Sequence, residues 1–214
     1  MKTKEEIFED LFARLPALVP CRGQIEAAYE LLLACAEANG TVMVCGNGGS
    51  AADSEHIVGE LMKGFLLARP LTRFQKESFY DIEGGREIAE KLQRGIRAIS
   101  LTSQTGLISA FANDVDAALV YAQQVYAYAS NDCDVVLALT TSGNSENVVN
   151  AVKAAAASGI KSVAVTGQTG GKVKDLADVT VKLPALEPFA VQEYTLPVYH
   201  ALCAALEADM FGEF

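Results

Sequence analysis

The chain contains two histidines, His56 and His200, and the first stands four residues before Glu60. On a helix that spacing puts both side chains on one face, a ring nitrogen and a carboxylate one turn apart. Such a pair can ligate a divalent metal or serve as acid and base. The spacing is common on exposed helices, so its weight comes from what precedes it. That is a glycine-rich turn, Gly46-Asn47-Gly48-Gly49-Ser50, at the end of the apolar run 41–45. His200 falls on a C-terminal helical pattern, eight residues after Gln192, where a lone histidine is more often structural than catalytic.

A second turn is suited to an anion. Thr140-Thr141-Ser142-Gly143-Asn144-Ser145 follows the apolar run 134–139 and leads into a helical pattern over 146–157. Backbone N–H groups, hydroxyls and the helix dipole converge there. Helix capping needs one such residue rather than five, so the cluster reads as a phosphate site. Gly46 to Ala51 also matches the G-x-G-x-x-A dinucleotide pattern. That fingerprint needs an acidic residue about 20 positions further on, where this chain has Phe65-Leu66-Leu67. The stretch 167–172 is one residue short of a P-loop and is followed by Val173 in place of a magnesium-holding Ser or Thr, so it reads as a turn with a surface lysine. No G-x-S-x-G elbow is present.

These turns require a scaffold that brings strand ends together. Apolar periodicity predicts helices over 5–15 and 25–38, separated by Pro16, Pro20 and Gly23. Strand-to-helix units then repeat, with strands over 41–45, 96–101, 134–139, 161–165 and 179–183 and helices over 51–65, 146–157 and 191–210. Near-continuous apolar strands alternating with helices imply an α/β fold, a parallel sheet covered on both faces, with ligands bound outside the carboxyl ends of the strands. The segment 69–97 is charged, contains Gly84-Gly85 and a helical pattern over 86–92, and reads as a surface insertion too small to own a core. The expected organisation is one domain over 1–214, with N-terminal helices over 1–39 and the α/β core over 40–214.

Composition narrows the function. Of 214 residues, 50% are hydrophobic and 21% charged, an ordinary globular mixture. No apolar run reaches the ~18 residues of a membrane span, and the charged start, Met1 to Glu6, has no apolar core for secretion. A cytoplasmic protein without a membrane partner is expected. A formal charge of −10 opposes nucleic-acid binding, whereas a small phosphorylated ligand can still be held by backbone N–H groups. Cys21, Cys35, Cys45, Cys133 and Cys203 are widely spaced without a C-x-x-C, and are expected to be reduced and mostly buried.

Taken together, Cys45-Gly46-Asn47-Gly48-Gly49-Ser50, His56-x-x-x-Glu60, Asn113-Asp114, Thr140 to Ser145, and Gln192-Glu193 with His200 resemble the phosphoheptose isomerases of the sugar isomerase (SIS) domain superfamily. The resemblance runs from about residue 26 to the C-terminus, outside the 69–97 insertion. It implies a three-layer α/β/α sandwich with a five-stranded parallel sheet, a homotetramer with active sites between subunits, and conversion of sedoheptulose 7-phosphate to an aldoheptose 7-phosphate. Carried over by position, Glu60 and His200 match the catalytic acid/base residues. His56, Glu60, Gln192 and His200 match the ligands of a zinc ion, one per subunit, found in some members. Ser50, Thr140, Thr141, Ser142 and Ser145 match the phosphate-binding set. Asn47, Asn113 and Asp114 match sugar-contacting positions, with Gly48, Gly49 and Gln192 also on the substrate-binding side.

Eight residues separate Gln192 and His200 by roughly 12 Å of helix axis, so either Gln192 lies at the helix entrance or neighbouring subunits share the work. Pro197 between them is expected to kink the helix. The chain departs from the family pattern at Gly64, where an Arg is common, and at Phe189-Ala190-Val191, where an acidic residue often precedes the Gln. Two other roles remain alternatives: an isomerase of another sugar phosphate, and a non-catalytic SIS adaptor that binds the replication initiator. Such adaptors typically lose the Glu at the Glu60 position and alter the second glycine of the first loop; this chain keeps both.

Overall fold

The computed structural model describes residues 2–212. Its centre is a parallel sheet of five short strands: β1 (Val42–Cys45), β2 (Ala98–Ser100), β3 (Val135–Thr140), β4 (Lys161–Thr166) and β5 (Val179–Lys182), in the order β2-β1-β3-β4-β5. Val42 lies opposite Ala98 on one side and Val135 on the other. All six residues of β3 are buried, as the near-continuous apolar pattern requires of a central strand.

Side-chain alternation divides the core in two. Val42, Val44, Leu137 and Val163 face one layer, built from α1 (Lys4–Arg14), α2 (Arg22–Glu37), α3 (Gly49–Met62) and α9 (Pro188–Phe211). Met43, Cys45, Val136 and Ala138 face the other, where α7 (Val120–Tyr128) and α8 (Glu146–Ala157) pack. Three shorter α-helices complete the α-helical set among the described residues: α4 (Arg73–Glu77), α5 (Gly85–Lys91) and α6 (Thr105–Phe111). This is the expected three-layer α/β/α sandwich. The connection order reverses between β1 and β3, which opens a crevice at their carboxyl ends.

Three details differ from the sequence reading. α3 stops at Met62, and Arg69 donates to the carbonyls of Glu60 and Leu61 in its last turn. α9 begins at Pro188, a residue type that suits a first helical turn, so Gln192 lies at the helix entrance. The same helix continues on both sides of Pro197, where proline removes one backbone donor, and Val191, Thr195, Val198 and Leu202 are anchored in the core. The 69–97 insertion is largely exposed, with Phe74 at 80%, but Arg69 itself is fully buried. The insertion is therefore tied into the core at its first residue. All five cysteines are free and four are buried, as expected. No helix among the described residues is long and apolar enough to cross a membrane.

Candidate active site

The loops after β1 and β3 lie side by side at the crevice. Asn47 and Asn147 exchange amide hydrogen bonds across it: Asn47 Nδ2 donates to Asn147 Oδ1 at 2.8 Å, and Asn147 Nδ2 to Asn47 Oδ1 at 2.9 Å. Tyr121 donates its hydroxyl to Gly46 O at 2.7 Å, which anchors the first loop to α7. Gly48 starts α3 at φ +57, a conformation glycine adopts without a Cβ penalty, and no side chain caps that helix. α8 likewise begins at Ser145 without a side-chain cap. Ser145 Oγ instead accepts from Thr140 Oγ1 at 3.4 Å, and Ser142 Oγ accepts from Asn144 N at 3.1 Å. Two uncapped helix N-termini, rimmed by Ser50, Thr140, Thr141, Ser142 and Ser145, are an arrangement suited to a phosphate group.

The 167–172 turn supports this arrangement. Lys172 N and Val173 N donate to Gly143 O at 2.9 and 3.1 Å. Gly143 has φ +69, and a β-carbon on it would overlap Gly170 O.

The acid/base candidates sit further along α3, which carries Glu60, and α9, which carries His200. α3 and α9 run side by side in the same direction, since Gly49 meets Gln192 near their starts and His56 meets Tyr199 and His200 two turns later. His56 Nε2 lies 3.1 Å from Glu60 Oε1 and 3.5 Å from His200 Nε2. On its other side His56 Nδ1 is 2.9 Å from the Tyr199 hydroxyl, which reaches Asp53 Oδ1 at 3.3 Å. Lys63 Nζ holds Glu60 Oε2 at 3.1 Å, and the Phe65 ring lies 5.4 Å from the His200 ring.

Burial, reinforced by the charge of His56, pushes the His200 imidazole below its ordinary value, so it is neutral near pH 7. Burial raises Asp53, and burial followed by the Asp53 charge raises Tyr199, whose hydroxyl keeps its proton. The buried thiols of Cys45 and Cys203 are pushed up to about 12, primarily by burial, and are unreactive.

The structure brings His56, Glu60 and His200 together within one chain but not Gln192. The Gln192 amide lies against the backbone of Gly49, where an added β-carbon would come within 2.5 Å of Nε2. Parallel packing of α3 and α9 keeps it two turns from His200. The donor types suit zinc, yet among the described residues no three His, Cys, Asp or Glu side chains enclose a metal position. The expected zinc quartet is therefore not assembled within one chain. Asn113 and Asp114 lie in a π-helical turn (Ala112–Asp116), exposed and hydrogen-bonded to each other. Neither hydrogen-bonds another candidate residue.

Asn147, Tyr121, Asp53, Tyr199 and Lys63 were not singled out by type or spacing. Asn147 and Tyr199 stood beside motif residues, but only the packing of neighbouring loops and helices brings them to the site.

Comparison with known proteins agrees with this fold. SIS domain family models match residues 17–74 and 100–207, leaving out the centre of the insertion. A phosphoheptose isomerase of Laribacter hongkongensis is 34% identical over 207 residues, covering 95% of this chain and 93% of the relative. One from Methylibium petroleiphilum is 36% identical over 192 residues, covering 88% and 84%. The solved phosphoheptose isomerase of Neisseria gonorrhoeae superposes with a TM-score of 0.70 at 28% identity, covering 96% of this chain and 93% of that one. By sequence along nearly its whole length and by fold, the chain belongs to the phosphoheptose isomerase family of SIS-domain proteins.

Proposed function

We propose that the protein is an aldose–ketose isomerase that converts sedoheptulose 7-phosphate to D-glycero-D-manno-heptose 7-phosphate through an enediol. The observation that carries this reading is the placement of Glu60, with His56 and His200 beside it, on the same helix whose N-terminus forms half of the phosphate cradle.

The chemistry follows from the groups present. Glu60 removes a proton from C1 of the ketose, and the electron pair forms the C1–C2 double bond of an enediol. Neutral His200 relays a proton between the two oxygens. Glu60 then returns its proton to C2, leaving the carbonyl on C1. His56, held from behind by Tyr199, and Lys63 orient the two Glu60 oxygens. Ser50 with Thr140, Thr141, Ser142 and Ser145 hold the phosphate end, while Asn47, Asn113 and Asp114 contact the sugar, with Gly48, Gly49 and Gln192 also on the substrate-binding side.

The offset of Gln192 from His200 supports a site shared between chains. A homotetramer is proposed, in which a neighbouring subunit brings its own Gln192 or His200 to the cluster. Zinc, one ion per subunit, is proposed on His56, Glu60, His200 and Gln192 of the assembled oligomer, where it would polarise the substrate carbonyl. Metal analysis of the purified oligomer tests this. A metabolite substrate and five free thiols agree with a cytoplasmic location.

Incubation with sedoheptulose 7-phosphate, followed by NMR, is expected to show the aldoheptose phosphate accumulating. Absence of turnover by the intact oligomer, with and without added zinc, contradicts the substrate assignment and favours another sugar phosphate or the adaptor role.

A further inference from the structure

Arg69 has the largest side chain among the fully buried residues, and it sits directly behind the proposed catalytic centre. Its Nη1 donates to Leu61 O at 2.7 Å and its Nη2 to Glu60 O at 3.2 Å, so the guanidinium caps the turn of α3 that carries Glu60. Carbonyls at a helix C-terminus lack intrahelical donors, and a cation there complements the dipole.

The remaining fork of Arg69 is spent on α9. Arg69 Nε donates to Glu207 Oε1 at 2.7 Å, with both side chains essentially excluded from solvent. Glu207 lies seven residues beyond His200, two turns along the same helix face. Its carboxylate also accepts from Phe65 N at 2.8 Å, Leu66 N at 2.7 Å and Leu67 N at 3.0 Å. These bonds fix the turn after α3, whose Phe65 ring lies against His200. Every link runs between the backbone under Glu60 and the helix of His200.

We infer that Arg69 and Glu207 form a positioning pair that sets the placement of Glu60 relative to His200. The inference rests on the reading that these two residues transfer the proton. The cradle for phosphate lies at the opposite end of α3, so substrate anchoring is independent of the pair.

The test is Glu207→Gln in the intact oligomer. It preserves size and leaves Arg69 without its carboxylate. Misplacement of a reacting group by about 1 Å costs on the order of 100-fold. The expected result is a fall in kcat of that order with KM within about twofold of wild type. With two histidines in the chain, the imidazole Cε1–H spectrum provides a second readout: the His200 signal is expected to shift as the Phe65 ring moves. Loss of stability alone lowers Tm and leaves kcat per folded molecule unchanged.

A folded Glu207→Gln protein with wild-type kcat and an unshifted His200 signal overturns the inference. If Glu207→Gln does not fold, Arg69→Met/Glu207→Met replaces the pair without leaving a lone buried charge. Wild-type kcat in that variant equally overturns the inference, and reduced kcat at unchanged KM supports it. If the wild type itself does not isomerise the heptose phosphate, the functional reading fails. The His200 signal of the variant then decides the placement, a shift supporting the inference and no shift overturning it.

Discussion

Burial and the neighbouring His56 lower the proton affinity of His200, so its ring is neutral where metabolism operates. Its NMR titration midpoint is expected below 6.5, and a midpoint at or above that value contradicts the placement. The sign for stability follows. The native state binds fewer protons than the unfolded chain below about pH 6.5, so this residue's share of stability is present above that pH and lost as the pH falls through the lowered midpoint. At this scale the sequence was partly legible. The i,i+4 spacing of His56 and Glu60 survives because a helix fixes it locally. Lys63, Tyr199 and Asp53 were not legible, since their partners depend on how α3 packs against α9 and on side-chain reach. Arg69 was the least legible residue of all. A charged residue before proline in a polar stretch reads as surface, and its burial requires Glu207, which lies 138 residues away in the chain.

At the scale of the elements, the two strand-to-helix loops after β1 and β3 were the most legible feature. Each apolar strand is cut off by Gly, Ser, Thr and Asn, and such residues cannot continue a buried strand. The structure adds why the second loop keeps its shape. Gly143, at φ +69, lets the loop close on 170–171. Gly143→Ala is expected to lower stability by about 1–3 kcal/mol and to raise KM for the sugar phosphate, with a smaller effect on kcat. Thermal unfolding and initial rates check this, and unchanged values of both contradict the role of the loop. The position of Gln192 was not legible, because a helix start is uncertain by a few residues and its neighbour depends on the direction of α9 relative to α3. Once both helices run in the same sense, Gln192 must lie at Gly49.

At the scale of the molecule, one chain brings together two uncapped helix starts and three of the four expected donors, and the fourth stands two helical turns away. The −10 charge opposes a nucleic-acid partner, and the recurring strand-to-helix form carried the layers. Which chains meet is set by surfaces that periodicity does not describe. A site completed between subunits requires that dilution or interface disruption to monomers, followed by ultracentrifugation, removes turnover; a fully active monomer contradicts the shared site. The most direct test of the central claim is proton exchange. In heavy water the wild type is expected to incorporate deuterium at C2 of the aldose product, and Glu60→Gln to lose both incorporation and turnover by about 10²–10⁴-fold. Incorporation that persists at the wild-type rate in Glu60→Gln would contradict the assignment of Glu60 as the base.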